Sequence, residues 1–180
     1  MKFKITLKID RKHGDLLPFN YQYEQSAVIY RILAQADTQY SAWLHENGYL
    51  LHERKRFKLF CYSPFIFEKV RPLPEAGCLK IIGERAVWYI SFIPEKSTLE
   101  FIQGIFAHQS FSIGNKKYQV AFDVVGVEAI PMPQLSEEMT FVALSPICVK
   151  LHEDNKTQYL SPDNPMFVEG VLKGLMARYE

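Results

Sequence analysis

The sequence has few cysteines, few glycines, almost no net charge and no long apolar run. Its three cysteines, Cys61, Cys78 and Cys148, are widely spaced and odd in number. That pattern excludes a disulfide framework and a Cys-x-x-Cys zinc site, and it implies reduced thiols. The nine glycines are scattered, so no phosphate-cradling glycine-rich motif exists, and no nucleophile elbow occurs either. No stretch approaches the ~20 apolar residues that span a bilayer. The opening MKFKITLKID alternates charge with apolarity instead of building the apolar block of a secretory signal. A cytoplasmic protein is therefore expected. Net charge is +1, short of the basic excess of a dedicated nucleic-acid binder, so the distribution of charge matters more than its sum.

Aromatic residues and local clusters of charge are abundant. The 180 residues include 13 Phe, 10 Tyr and 2 Trp, and 48% of the chain is hydrophobic, which suffices for one good core. Cations gather at 11–12, 54–58 and 116–117, while acids dominate around 137–138 and 153–154. A neutral protein can still present a basic face.

Residues 2–10 read as a strand, with Phe3, Ile5, Leu7 and Ile9 on one face and Lys2, Lys4, Thr6 and Lys8 on the other. The spacing of Tyr23, Ala27, Tyr30, Leu33 and Ala36 predicts a helix over 22–36. A second, short helix starts near Asp37 or Thr38, either of which can cap it, and stops at Gly48. Strand-like pieces follow: FKLFCYSPF, CLKII and AVWYISFI. After Pro94, STLEFIQGIFAHQ carries a helical stripe. KKYQVAFDVVGVEAI then alternates, with Tyr118, Val120, Phe122 and Val124 on one face. This β-α-β-β-α-β order predicts an α+β, ferredoxin-like unit over 1–132: one antiparallel sheet with helices on one face. Beyond PMPQLSEEM, a strand TFVALSPICVKLH, a turn at Asp154-Asn155, a strand TQYL and a helix from about 163 read as an incomplete second ferredoxin-like domain over 139–180.

The triplet Leu-His-Glu recurs at 44–46, 51–53 and 151–153. His45 and His52 are seven apart with Gly48 between them, whereas a zincin helix needs two histidines four apart, so no metal site is expected. His152 sits on a strand beside Lys150 on a polar face. His52 falls in a charged loop. Pattern alone favours a structural role for His45, in the last turn of the short helix. The cations of 54–58, interleaved with Phe57, read either as a solvated face or as a seat for phosphate.

Taken together, FNYQY-x5-IY, WLHE-x-GY, FKLFCYSPF and FVALSPICV resemble the CRISPR-associated endoribonucleases of the sixth Cas family, in the RAMP superfamily, which cut precursor CRISPR RNA within its repeats. The resemblance covers nearly the whole chain and rests on the order and spacing of these pieces. It implies two tandem ferredoxin-like folds. It also implies a catalytic set formed by Tyr30 in VIYRIL, His45 in WLHE and Lys58 just before Leu59-Phe60, which reverses the pattern-only reading of His45. Arg54, Lys55 and Arg56 become the expected RNA-binding residues. The implied reaction needs no metal or other cofactor: the RNA 2′-hydroxyl attacks the scissile phosphate and leaves a 2′,3′-cyclic phosphate and a 5′-hydroxyl. CRISPR repeat RNA is the implied partner, with other CRISPR effector-complex proteins beside it.

One departure stands out. Members of the family usually run past 200 residues and carry a glycine-rich loop near the C-terminus, whereas here no glycines cluster and the sequence reaches Glu180 within a predicted helix. The expectation is a chain lacking that part, and the exposed edge of an unfinished sheet predicts a homodimer. Two alternatives accompany the nuclease reading: a non-catalytic RNA-binding or scaffolding member of the same superfamily, and a small-molecule-sensing ferredoxin-like domain.

Overall fold

A computed structural model describes residues 1–51, 55–143, 145–153 and 156–179. In chain order the elements are β1 (Lys2–Asp10), a 3-10 turn (Arg11–His13), β2 (Leu16–Pro18), α1 (Gln22–Ala36), α2 (Thr38–Glu46), β3 (Tyr49–Leu51), β4 (Lys55–Phe57), β5 (Phe60–Tyr62), β6 (Ile66–Phe67), β7 (Val70–Leu73), β8 (Cys78–Ile81), β9 (Arg85–Phe92), α3 (Glu95–Ala107), β10 (Ser110–Gly114), β11 (Gln119–Ile130), β12 (Lys150–Glu153), β13 (Lys156–Tyr159) and α4 (Pro165–Tyr179). They group into two compact units: Met1–Glu46 with Leu59–Gln134, and Asn47–Lys58 with Leu135–Glu180.

The first unit is α+β and ferredoxin-like. Its main sheet runs β10-β11-β1-β9-β5, with β6 also on β9, and every pairing is antiparallel. The alternation of β1 holds: Phe3, Ile5, Leu7 and Ile9 are buried, and β9 matches them with Ala86, Trp88, Ile90 and Phe92. Helix α1 buries Val28, Ile29, Ile32 and Leu33, and α3 buries Phe101 and Ile105. Phe101 meets Phe92 at 5.0 Å and Trp88 at 6.3 Å between ring centroids. Each such aromatic side chain, fully buried, contributes on the order of 2–3 kcal/mol. The two helices touch at Gly104, where an added Cβ would lie 1.8 Å from the Ile32 carbonyl oxygen. Only hydrogen fits there.

The structure differs from the expected layout in several places. CLKII does not join the main sheet; β8 sits between β2 and β7 in a separate three-stranded sheet. The segment before β11 adds an edge strand, β10, joined by a turn in which Asn115 Oδ1 accepts from the backbone N–H groups of Lys117 (2.8 Å) and Tyr118 (2.9 Å). The alternation in β11 is interrupted. Leu7 pairs with Val124 but Thr6 with Gly126, so a bulge at Val125 flips the register and places Val127 opposite Ile5.

In the second unit, β3 and β4 form one hairpin, β12 and β13 another, and α4 follows. The long strand expected over 140–152 is reduced to Lys150–Glu153. Pro146 has no N–H to give to a ladder, and β13 spans four residues of partner. The predicted turn at Asp154-Asn155 lies outside the described residues. Helix α4 packs through Gly170, where an added Cβ would come within 2.5 Å of Val149 Cγ1. No helix among the described residues is long and apolar enough to cross a membrane.

Candidate active site

Tyr30 projects from α1 and His45 from the last turn of α2, and the elbow between these helices brings the two together. Asp37 makes the elbow. Its N–H donates to Leu33 O at 2.9 Å, and its carboxylate accepts from Tyr40 N–H at 2.8 Å, capping α2. The Tyr40 N–H bond and the Lys96 ammonium at 3.3 Å hold the Asp37 carboxyl below the usual carboxylate range. Ser41 crosses the elbow and donates to Tyr30 O at 2.8 Å. On the inner side of α2, Leu44 is fully buried and Tyr40 hydrogen-bonds Ser97 of α3. His45, one residue on, is thereby turned outward and exposed.

The result is an edge-to-face pair. The Tyr30 and His45 rings are 4.9 Å apart with 84° between their planes. Phe60 of β5 supports Tyr30 from another direction, at 5.8 Å and 75°, and rests in turn on Phe92 at 5.8 Å. Burial pushes the half-buried Tyr30 phenol above its usual range, and the neighbouring Tyr62 phenol adds to the shift. The phenol therefore stays protonated near neutral pH and can act as a hydrogen-bond donor.

Lys58 belongs to the second unit. FKLFCYSPF is not one continuous strand: β4 ends at Phe57, β5 begins at Phe60, and Leu59 between them has φ 55. A left-handed leucine costs roughly 1–2 kcal/mol, so the reversal is imposed by its surroundings. The Leu59 carbonyl is held by Ile93 N–H at 3.0 Å. Within the second unit, the Lys58 stem lies against Gly48 (φ +70), where a Cβ would be 3.2 Å from Lys58 Cδ, 3.4 Å from its Nζ and 2.7 Å from Phe57 O. Partial burial, followed by the nearby Arg56 charge, lowers the Lys58 ammonium from its ordinary 10.5.

The structure thus brings Tyr30 and His45 together. Of the three expected RNA-binding cations, Arg54 lies outside the described residues, and Lys55 is on β4. Arg56 is exposed and donates to Asn47 Oδ1 at 2.9 Å. Within the cationic stretch, Lys55–Phe57 form β4, which pairs antiparallel with β3. His52 lies outside the described residues. His152 is exposed on β12, with its ring against Thr157 Oγ1 at 3.2 Å, as a polar face predicts. Sequence reasoning missed the support from Phe60; its place immediately after Lys58-Leu59 was the available signal. No cluster of potential metal ligands occurs among the described residues.

Fold and site together define a class: a ferredoxin-like α+β protein with a phenol–imidazole pair on its two leading helices. The chain belongs to the Cas6 family. Residues 16–123 match the family model described as CRISPR-associated protein Cas6, N-terminal, and residues 130–180 match CRISPR associated protein Cas6, C-terminal. It is 27% identical to CRISPR-associated endoribonuclease Cas6 1 of Methanocaldococcus jannaschii, covering 98% of this chain and 65% of that protein. It is 26% identical to the putative CRISPR-associated endoribonuclease-like protein Cas6nc of Pyrococcus horikoshii, covering 99% and 70%. The chain therefore spans about two thirds of the length of these relatives. A solved structure described as a Cas6-related gene product of Pyrococcus furiosus superposes with TM-score 0.78 at 25% identity, covering 99% of this chain and 69% of that one. Another, described as an RAMP protein binding different RNA substrates, gives TM-score 0.76 at 26% identity, covering 99% and 70%.

Proposed function

We propose that the chain is a metal-independent endoribonuclease that cleaves precursor CRISPR RNA within its repeats. The observation that carries this reading is the Tyr30–His45 pair, whose rings lie 4.9 Å apart. RNA brings its own nucleophile. His45, exposed at the end of α2, takes the proton of the 2′-hydroxyl as its oxygen bonds to phosphorus. The bond from phosphorus to the 5′-oxygen breaks, and that oxygen receives a proton from an imidazolium or from Lys58. Tyr30, kept protonated by burial, donates to a non-bridging phosphate oxygen. Lys58 supplies positive charge to the phosphorane, a contribution of about 3 kcal/mol when well placed. It enters the proposal by its position in the chain, separated from Phe60 by Leu59 alone. The products are a 2′,3′-cyclic phosphate and a 5′-hydroxyl. Arg54, Lys55 and Arg56 are proposed RNA contacts.

On this reading the second unit begins a second ferredoxin-like domain. CRISPR effector-complex proteins, and a second copy of the chain pairing at the edges of the two-stranded β12–β13 sheet, are proposed partners. The test is incubation of repeat RNA with wild type and His45→Ala in EDTA. Cleavage by wild type alone is expected. Loss of cleavage on chelation, or full-rate cleavage by His45→Ala, refutes the proposal. A second reading, RNA binding without cleavage, draws on the structural relative described as binding different RNA substrates. It predicts salt-dependent binding with no product from either variant.

A further inference from the structure

At the far end of the main sheet from Tyr30, the Arg11–His13 turn and the β10–β11 hairpin enclose a second basic feature. A depression of about 570 Å³ is lined by His13, Gly114, Asn115, Lys116, Lys117 and Gln119. None of these residues is acidic. Asp10, which caps the turn, pairs with Lys12 at 2.8 Å. His13 and Lys116 are exposed and make no hydrogen bond or ion pair among the described residues. Lys117 is steered over the Tyr118 ring at 4.8 Å.

The walls of the depression are held in place. Arg11 ties the turn down by donating to the carbonyls of Ile81 (3.2 Å), Ile82 (3.0 Å) and Gly83 (3.2 Å). Across the depression, Asn115 spends its carbonyl oxygen on two backbone N–H groups of the hairpin, leaving its amide –NH2 as a further donor. The lining therefore offers donors and two cations on an anchored backbone, which is what a phosphodiester group requires.

The depression and the Tyr30–Phe60 contact lie toward opposite ends of β1. β1 begins beside the Phe92 end of β9, where Phe60 pairs, and ends at Asp10 beside the turn. Its nine residues, rising ~3.3 Å each, put roughly 26 Å between the two ends. We propose that this depression is a second anchoring site for single-stranded RNA, which grips a backbone phosphate several nucleotides away from the scissile bond and reads no base. The inference rests on the proposed RNA substrate and extends it to a second point of attachment.

The test compares wild type, a Lys116→Ala/Lys117→Ala variant and a control, Lys69→Ala/Arg71→Ala, which removes the same charge from exposed residues elsewhere. The probe is labelled oligouridylate, long in one arm and about four nucleotides in the other. Affinity is measured across a salt series, with inorganic phosphate as a competitor. For the long RNA the hairpin variant loses affinity several-fold, and its salt dependence is shallower by about 1.4 in log–log slope, since each single-strand phosphate contact contributes roughly 0.7. The control retains the wild-type slope, the short RNA does not distinguish the proteins, and millimolar phosphate does not mimic the substitution. Equal slopes for wild type and hairpin variant, an equal effect in the control, or no RNA binding by wild type overturns the proposal. If the slope changes as expected but wild type cuts no repeat RNA, the nuclease reading fails and the anchoring site stands. If wild type cuts repeat RNA but the slopes are unchanged, the anchoring site fails and the nuclease reading stands.

Discussion

Replacing Gly48 by alanine tests how Lys58 is held. The substitution changes two things. Alanine at φ +70 occupies left-handed space at a cost of about 1–2 kcal/mol. Its Cβ also lands 2.7 Å from Phe57 O and 3.2 Å from Lys58 Cδ, so the β3–β4 hairpin must shift. Overpacking of this kind costs roughly 1–3 kcal/mol. The expected loss is about 2–5 kcal/mol, borne by the second unit and measured by urea denaturation of the protein. If Lys58 stabilises the phosphorane, its displacement forfeits up to ~3 kcal/mol, or about a hundredfold in single-turnover cleavage. Two further variants separate the causes. Gly48→Asn tolerates the left-handed backbone but keeps the Cβ contact, so it recovers stability more than rate. In a Lys58→Ala background, Gly48→Ala has little further effect on rate, because what it displaces is already gone. An unchanged cleavage rate in Gly48→Ala, or an undiminished effect in the Lys58→Ala background, refutes the reasoning.

Three further outcomes follow from the same geometry. Tyr30 is raised above its ordinary 10.0. From pH ~10 up to its folded value, the native state binds more protons than the unfolded state, and stability falls as pH rises through that window. Tyr30→Phe flattens this part of a urea-midpoint profile against pH; an unaltered profile contradicts the assignment. Phe60→Leu removes the ring that supports Tyr30 and lowers the cleavage rate about tenfold while leaving RNA affinity near wild type; unchanged single-turnover kinetics contradict the positioning role. Phe101→Ala empties the centre of the first unit and costs ~3–5 kcal/mol by urea denaturation; a loss below ~1 kcal/mol contradicts the packing described for α3.

Much of the first unit was legible because one period governs each element. The alternation of β1 names the residues that are buried. In α1 the spacing gives the helix but not its buried face: Tyr23 and Ala27 are exposed, and of the stripe Leu33 alone is buried, beside Val28, Ile29 and Ile32. Legibility failed where tertiary pairing sets local structure. β10 is a short edge strand whose existence depends on the Asn115 turn and on β11 beside it. CLKII has the composition of a sheet strand but pairs with β2 and β7, a choice fixed by connections and not by pattern. The bulge at Val125 is invisible to a two-residue period.

The site shows the same division. Periodicity alone gives His45 no reason to leave the core, yet the capped elbow at Asp37 and the burial of Leu44 turn it outward toward Tyr30. The family resemblance named the pair, and the fold supplies the reason they meet. The backbone reversal at Leu59 was not readable, since leucine rarely adopts positive φ unless its neighbours impose it.

The account's central claim is that Tyr30, His45 and Lys58 act on RNA through the RNA's own 2′-hydroxyl. The most direct measurement is single-turnover cleavage, in EDTA, of repeat RNA carrying one 2′-deoxy substitution at the nucleotide preceding the cut. The account predicts that cleavage at that bond disappears, and that unmodified RNA yields a 2′,3′-cyclic phosphate. Cutting of the 2′-deoxy substrate at an undiminished rate, or a product bearing a 5′-phosphate, contradicts it.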